Sequence, residues 1–158
     1  MKNHIIISLL ILSVGCSTFQ KEYDINNITE RNGVYIKEIS DEIVNGEVFQ
    51  VVDDMKVPIG KMKNGKKDGL WTSWYENGQK ESEETFKDGE RHGLSTFWYE
   101  NGQKQFEGTY KEGKLDGLWT NWYEHGKKRI EQTNKDGKSI SRKEWNYDGS
   151  VKEDEHPS

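Results

Sequence analysis

A repeat of about 24 residues fills the middle of this chain and constrains its fold more than any other feature. Three units follow one another without a gap, at 68–91, 92–115 and 116–139. A half unit precedes them at 60–67, and a degenerate unit follows at 145–149. Matching positions in the three units include Gly69/Gly93/Gly117, Leu70/Leu94/Leu118, Thr72/Thr96/Thr120, Trp74/Trp98/Trp122, Tyr75/Tyr99/Tyr123, Gly78/Gly102/Gly126, Thr85/Thr109/Thr133 and Gly89/Gly113/Gly137.

Each unit has the pattern of two short strands and two glycine turns. The first strand, such as Leu70 to Glu76, is rich in aromatic and β-branched residues. It runs into Asn77-Gly78, a strong hairpin signal, because both residue types tolerate positive φ. The second strand, such as Lys80 to Lys87, leads to another glycine turn. We assign the hairpin turns to the glycines Gly78, Gly102 and Gly126.

This pattern predicts an all-β protein, an elongated single-layer antiparallel meander built from hairpin repeats. The composition agrees, since the chain has 16 glycines and no alanine, which argues against a helical bundle. Residues 33–55 are expected to belong to the same sheet, because 34–36 and 48–52 have strand composition and Asn45-Gly46 is a further turn signal.

The parity of the hairpin loop decides which side chains share a face. We prefer an odd-length loop at Asn77-Gly78, because it gathers the apolar side chains of even-numbered residues on one face. In the middle unit these are Leu94, Thr96, Trp98, Phe106, Gly108 and Tyr110. The predicted structural core of the repeats is therefore Leu70, Trp74, Leu94, Trp98, Leu118 and Trp122. The opposite, candidate binding face carries Trp71, Tyr75, Phe97, Tyr99, Trp119 and Tyr123.

Two positions interrupt this aromatic pattern. Ser95 stands where the neighbouring units have tryptophan, and Asn134 replaces the aromatic residue of the first two units. The gaps are interpreted either as a binding groove or as variation between units.

The N-terminus has the features of an export signal. A basic residue, Lys2, precedes a short apolar run that ends at Gly15-Cys16. The run is too short to span a membrane. This segment resembles a bacterial lipoprotein signal, which implies cleavage before Cys16, acylation of that cysteine and attachment to a membrane of the bacterial cell envelope, facing the periplasm or the exterior. The predicted domains are a signal peptide at 1–15, a polar tether at 16–32, the repeat domain at 33–151 and a disordered tail at 152–158.

The repeat itself also resembles a known family. The pattern G-x-W-x-x-W-Y-x-N-G-x-K, followed by T-[FY]-K-[DE]-G-x-x-[DH]-G, is similar to the MORN repeat over roughly residues 58–150. It looks closest to the bacterial variant often labelled as the antitoxin of a toxin–antitoxin system. The resemblance implies an elongated antiparallel sheet that binds membranes or proteins, and the antitoxin label implies neutralisation of a partner.

The sequence offers no recognisable catalytic set. Adjacent acids such as Asp53-Asp54 point to opposite faces of a strand, and the glycine loops lack a phosphate-binding signature. We therefore expect no enzyme, metal or cofactor. Residues 56–139 carry 16 basic and 14 acidic groups, a balance that does not favour nucleic acid binding.

These features together favour a non-enzymatic, membrane-anchored module that binds a protein partner, with an immunity-like role as one form of this function. Binding of carbohydrate or peptidoglycan, or of membrane lipid, stays open as the alternative. An open sheet edge makes self-association a further expectation.

Overall fold

The structure is a computed structural model that describes residues 21–152. The predicted signal peptide, Cys16 and the predicted tail beyond residue 152 lie outside the described residues. Twelve strands run in chain order: β1 (Glu22–Asp24), β2 (Ile28–Arg31), β3 (Val34–Lys37), β4 (Gly46–Val52), β5 (Met55–Lys63), β6 (Lys66–Trp74), β7 (Lys80–Lys87), β8 (Glu90–Trp98), β9 (Lys104–Lys111), β10 (Lys114–Trp122), β11 (Lys128–Lys135) and β12 (Lys138–Glu144). A single 3-10 turn, Ile25–Asn27, separates β1 from β2.

Ten strands form one sheet in the order β1-β4-β5-β6-β7-β8-β9-β10-β11-β12. From β4 onward each strand pairs antiparallel with the next strand of the chain, so the predicted meander of hairpin repeats is confirmed. Only β1 departs from the meander, because it pairs in parallel with β4. The repeat therefore builds a sheet that grows by two strands per unit.

The strands are joined by two kinds of turn that alternate along the sheet. Two-residue turns such as Asp88-Gly89 have positive φ at both positions, 52° and 89°, which is the geometry of a type I′ hairpin. Loops such as 75–79 lie at the other end of each hairpin. The Asn77-Gly78 pair was expected to be left-handed at both residues, but only Gly78 is, with φ 81°. Asn77 instead accepts a hydrogen bond from the amide of Gln79 through its Oδ1 atom, at 2.9 Å.

A β-bulge in each hairpin overturns the predicted division of side chains between faces. The five-residue loop has the odd length that we preferred, and it pairs Trp74 with Lys80. One step later the register shifts, and Ser73 pairs with Ser82. Equivalent shifts occur at Phe97/Trp98 and Asn121/Trp122. Because a shift of one residue exchanges the faces, odd-numbered residues of the first strand share a face with even-numbered residues of the second.

The segment predicted as a polar tether is structured over the part that is described. Residues 28–37 form a separate two-stranded hairpin of β2 and β3, turning at Asn32-Gly33, where φ is 53° and 75°. Thus β3 does not join the main sheet as expected, whereas β4 does. A backbone hydrogen bond from the Tyr35 amide to the Gly65 carbonyl, at 2.7 Å, joins the hairpin to the turn between β5 and β6.

The hydrophobic core lies between this N-terminal segment and one end of the sheet. It consists of Tyr23, Ile28, Val44, Val48, Ile59, Met62 and Trp71, with Ile25, Tyr35, Trp74 and Phe86 packed around it. Two of these residues, Tyr23 and Ile28, come from the predicted tether. Their burial explains why the segment folds, since a polar chain with apolar residues at the right places can complete a core that the sheet leaves open.

Candidate functional site: the two faces of the repeat sheet

Strand alternation and the observed register define two faces over β6–β11. One face carries the same six residues in every unit: a leucine, two threonines, a tryptophan, a lysine and a glutamate. We call it the invariant face, and its residues are Leu70, Thr72, Trp74, Lys80, Glu83 and Thr85 in the first unit, Leu94, Thr96, Trp98, Lys104, Glu107 and Thr109 in the second, and Leu118, Thr120, Trp122, Lys128, Glu131 and Thr133 in the third.

The invariant face connects each unit to the next through its lysines. The ammonium group of Lys104 forms an ion pair with Glu107 at 2.5 Å and lies 5.7 Å from the centre of the Trp122 ring. Lys80 and Lys128 form the same two contacts, with Glu83 and Trp98 and with Glu131 and Trp145. Cation–π contacts at such exposed sites contribute about 0.5–1 kcal/mol each. The repeated residues therefore stabilise the stacking of units.

The tyrosines at the loops also connect neighbouring units. The hydroxyl groups of Tyr75, Tyr99 and Tyr123 donate to the carbonyl oxygens of Trp98, Trp122 and Trp145, at 2.6, 2.9 and 2.9 Å. Their hydroxyls are therefore engaged within the array, which gives these predicted binding-face residues a structural role as well. Burial and the negative side chains of Glu81 and Glu100 raise the pKa of Tyr75 above its ordinary value.

The opposite face differs from unit to unit, and we call it the variable face. Apart from the shared glycine Gly69/Gly93/Gly117, five of its repeat positions differ between the three units. The positions are Trp71/Ser95/Trp119, Ser73/Phe97/Asn121, Ser82/Phe106/Ile130, Glu84/Gly108/Gln132 and Phe86/Tyr110/Asn134. The N-terminal hairpin packs on this face near Trp71 and Phe86, because both belong to the shared hydrophobic cluster.

Beyond the hairpin, aromatic rings of the variable face lie side by side across β8, β9 and β10. Phe97 and Phe106 stack with their centroids 4.2 Å apart, and the Trp119 ring follows at 6.4 Å from Phe106. Trp119 lies over Gly108, where an added Cβ atom would be 2.7 Å from its Cδ1 atom. The three rings are half-buried and form a continuous aromatic cluster.

A cavity of about 460 Å³ lies where the N-terminal hairpin meets the variable face. Its lining combines both signs of charge with aromatic rings, and includes Glu30, Tyr35, Lys67, Glu84, Phe86 and Arg91. Arg91 pairs with Glu84 and lies 5.6 Å from the centre of the Tyr110 ring. Burial lowers the pKa of the Lys67 amine, which lies between the rings of Trp71 and Phe86 at 4.6 and 4.9 Å.

Burial reverses much of the sequence-based assignment. Trp71, predicted on the binding face, is only 6% exposed and belongs to the core. The leucines predicted as core, Leu70, Leu94 and Leu118, are 54%, 52% and 54% exposed. Trp74, Trp98 and Trp122 are half-buried on the invariant face. The one-residue bulge is the cause, since it removes the Phe106 and Tyr110 rings from the leucine face.

The two interruptions of the aromatic pattern are not a groove. Ser95 is fully buried and Asn134 is 3% exposed. Ser95 lies opposite Glu84 on one side and opposite Gly108 on the other, beside the ring of Trp119. Sequence reasoning did not find Phe106, Lys67 or Arg91 as site residues. A signal was available, because these positions differ between the units while the Leu, Thr, Trp, Lys and Glu positions of the invariant face do not.

Comparison with known proteins agrees with this geometry. Residues 67–88, 91–112 and 115–136 match the MORN repeat variant. The three matches are consecutive and lie within the repeat array. No curated protein and no solved structure matches the chain. MORN repeats are in general non-catalytic modules that bind proteins or membranes.

Residues 21–152 contain no group of three or more His, Cys, Asp or Glu side chains placed to hold a metal ion. Within the same range, no helix has the length and apolar character needed to cross a membrane. The repeat array presents its aromatic, mixed-charge variable face opposite the invariant face.

Proposed function

We propose that the chain is a non-enzymatic MORN-repeat module, anchored to the bacterial cell envelope through Cys16, that binds a protein partner on its variable face. The observation that carries the proposal is the contrast between the faces. The three units share the Leu, Thr, Trp, Lys, Glu and Thr positions of the invariant face, whereas five positions of the variable face differ between them. Contacts between units need the same residues each time, whereas a partner without repeats requires different residues at each position.

The composition of the variable face suits a protein partner. Protein interfaces are enriched in aromatic residues and arginine at their centres and have polar rims. The Phe97, Phe106 and Trp119 cluster provides such a centre, and the Arg91–Glu84 pair with Lys67 lies next to it. Both signs of charge occur around the cavity, so the matching patch of the partner carries both signs as well.

The anchor and the location rest on the N-terminal sequence alone. The apolar run before Gly15-Cys16 supports export, and acylation gives the only cysteine of the chain a use. Several acyl chains would hold the module firmly, because one chain gives only marginal membrane binding. A toxin-neutralising or immunity-like role fits this location if the partner acts outside the cytoplasm.

A second candidate function is binding of carbohydrate or peptidoglycan. The stacked rings of Phe97 and Phe106 favour it, since aromatic rings can stack on sugars. Direct binding of lipid headgroups has less support, because residues 56–139 carry a net charge of only 16 minus 14. Both alternatives would use the surface of the array, so one experiment separates them from protein binding.

The experiment is cross-linking in cells, followed by affinity capture of the tagged, full-length chain. The proposal expects one protein to be recovered near a one-to-one ratio, and at least tenfold less of it with Phe106→Ala. The matched control is Met55→Ala, which removes an exposed apolar side chain away from both repeat faces. Recovery of glycan or bulk lipid in place of a protein would overturn the proposal. If both variants recovered the protein partner equally, the variable face would not be the binding site.

A further inference from the structure

A stripe of aliphatic side chains crosses the invariant face from β6 to β11. The cross-strand pairs Leu70–Thr85, Leu94–Thr109 and Leu118–Thr133 place a leucine or a threonine methyl group on each successive strand. Six strands at about 4.8 Å spacing make this leucine stripe about 24 Å long. Its leucines recur at every second strand, about 10 Å apart.

The stripe is identical in the three units but is not buried within the chain. All three leucines leave about half of their surface to solvent, at 54%, 52% and 54% exposure. Single exposed leucines are ordinary, whereas a continuous apolar stripe on a protein surface marks a contact site. A residue needed only for packing between units would be covered, as Thr96 and Thr120 are, at 5% exposure each.

From this stripe we infer that two copies of the chain associate face to face through their invariant faces. A partner that contacts all three leucines equally must itself repeat about every 10 Å, and a second copy of this stripe has that period. Aligned sheets pack about 10 Å apart, which lets half-exposed leucines from both copies interdigitate. The variable faces then point outward from the pair and stay free for another protein.

Charge and area both agree with this arrangement. Lys80, Lys104 and Lys128 are each paired with a glutamate of their own unit, so the charges on the strands that carry the stripe are compensated. Six strands of about nine residues cover roughly 800 Å², which is the area that each partner buries in a stable interface of standard size.

Photo-cross-linking of the full-length chain in cells tests the inference. A photoreactive phenylalanine analogue replaces Leu94, and two differently tagged copies are co-expressed. We expect an adduct that contains both tags, whereas the same probe in place of Met55, which is also exposed but lies off the stripe, gives none. Adding Leu70→Asp and Leu118→Asp to both copies should lower the yield of the adduct at least tenfold. These leucines are exposed, so a melting curve should show that the array still folds.

Each other result contradicts the inference. An adduct of the position 94 probe with a different protein or with lipid would assign the leucine stripe to that molecule. The absence of an adduct would show that the face is free. A doubly tagged adduct obtained with a probe at Ile140, on the outer strand β12, and not at position 94 would place self-association at the sheet edge instead.

Discussion

The two faces of the repeat sheet follow different rules although the same strands build them. On the invariant face every unit repeats Leu, Thr, Trp, Lys, Glu and Thr, and each lysine reaches the tryptophan of the next unit. On the variable face each unit has its own set of side chains. A repeat protein of one layer thus keeps the contacts between units on one surface and leaves the other surface free to change.

Side chains of the variable face pack in a pattern that repeats every two units. Trp119 pairs with Gly108 and covers it, and Trp71 lies over Gly60, where an added Cβ atom would collide with the ring. Between them, Glu84 pairs with the small Ser95. Bulky rings therefore lie opposite glycines, and a small residue lies opposite a larger one. The 24-residue period of the sequence does not show this alternation.

The largest expected effect is the difference in stability loss between two neighbouring residues on opposite faces, Trp71 and Leu70. Trp71→Ala should lower the free energy of unfolding by about 3–5 kcal/mol, because it empties a buried site. Leu70→Ala should cost less than about 1 kcal/mol, since that side chain is more than half exposed. Denaturant unfolding of the two variants measures both values. If Leu70→Ala cost more than Trp71→Ala, the side chains would be divided between the faces as the loop length alone predicts.

The next effect concerns Gly102, in the loop that joins β8 to β9. Gly102 has φ 81°, and a Cβ atom there would be 2.5 Å from the Oε1 atom of Gln79. Gly102→Val should therefore destabilise the array by roughly 1–2 kcal/mol or more, because a β-branched residue tolerates this backbone poorly. Gly102→Asn is the matched control, with a smaller cost. An unchanged melting temperature of the valine variant would show that the loop is not held in this conformation.

A smaller effect tests the tyrosine connection between units. Tyr99→Phe removes only the hydroxyl that donates to the Trp122 carbonyl at 2.9 Å. The expected loss is about 1 kcal/mol in thermal unfolding, the usual net value of one hydrogen bond. Tyr147→Phe is a suitable control, since this side chain is 66% exposed. If Tyr99→Phe had the same melting temperature as the native chain, the tyrosine hydroxyls would not stabilise the stacking of units.

The smallest effect belongs to the lysine contacts of the invariant face. Lys104→Ala loses its ion pair with Glu107 and its contact with Trp122. Because the side chain is exposed, we expect a cost of only about 0.5 kcal/mol, reduced further in high salt. Unfolding at low and high ionic strength measures it. A large cost that does not depend on salt would mean that packing of the lysine stem matters more than its charge.

Much of this architecture could be predicted from the sequence because it is local and periodic. The bounds of β7 at Lys80–Lys87 agree with the predicted second strand, and the period set the number of strands. The glycine pattern located both turns of each unit. The N-terminal hairpin has the same kind of signal, Asn32-Gly33 between two strand-like segments. This signal was missed because it lies in a polar stretch of the sequence.

The faces could not be predicted because they depend on one residue of register. The bulge beside each tryptophan leaves no mark in the hydrophobic pattern, yet it exchanges the environments of Leu94 and Phe97. His125 stands where the first two units have asparagine. Its ring lies 4.1 Å from that of Tyr147 in the degenerate fourth unit, a contact that the repeat pattern does not show.

The central claim is that the protein partner binds the aromatic cluster of the variable face, whereas the invariant face carries contacts that recur between units. The chain itself shows that serine is tolerated at these two positions. The first unit has Ser73 and Ser82, whose hydroxyls are 2.7 Å apart, where the second unit has Phe97 and Phe106. The most direct measurement is partner capture by the double variant Phe97→Ser/Phe106→Ser, beside its melting curve. The control is the cross-strand pair Leu94→Ser/Thr109→Ser on the invariant face. We predict that the first variant folds and loses the partner while the control keeps it. A folded first variant that captures the partner as well as the native chain would contradict the account.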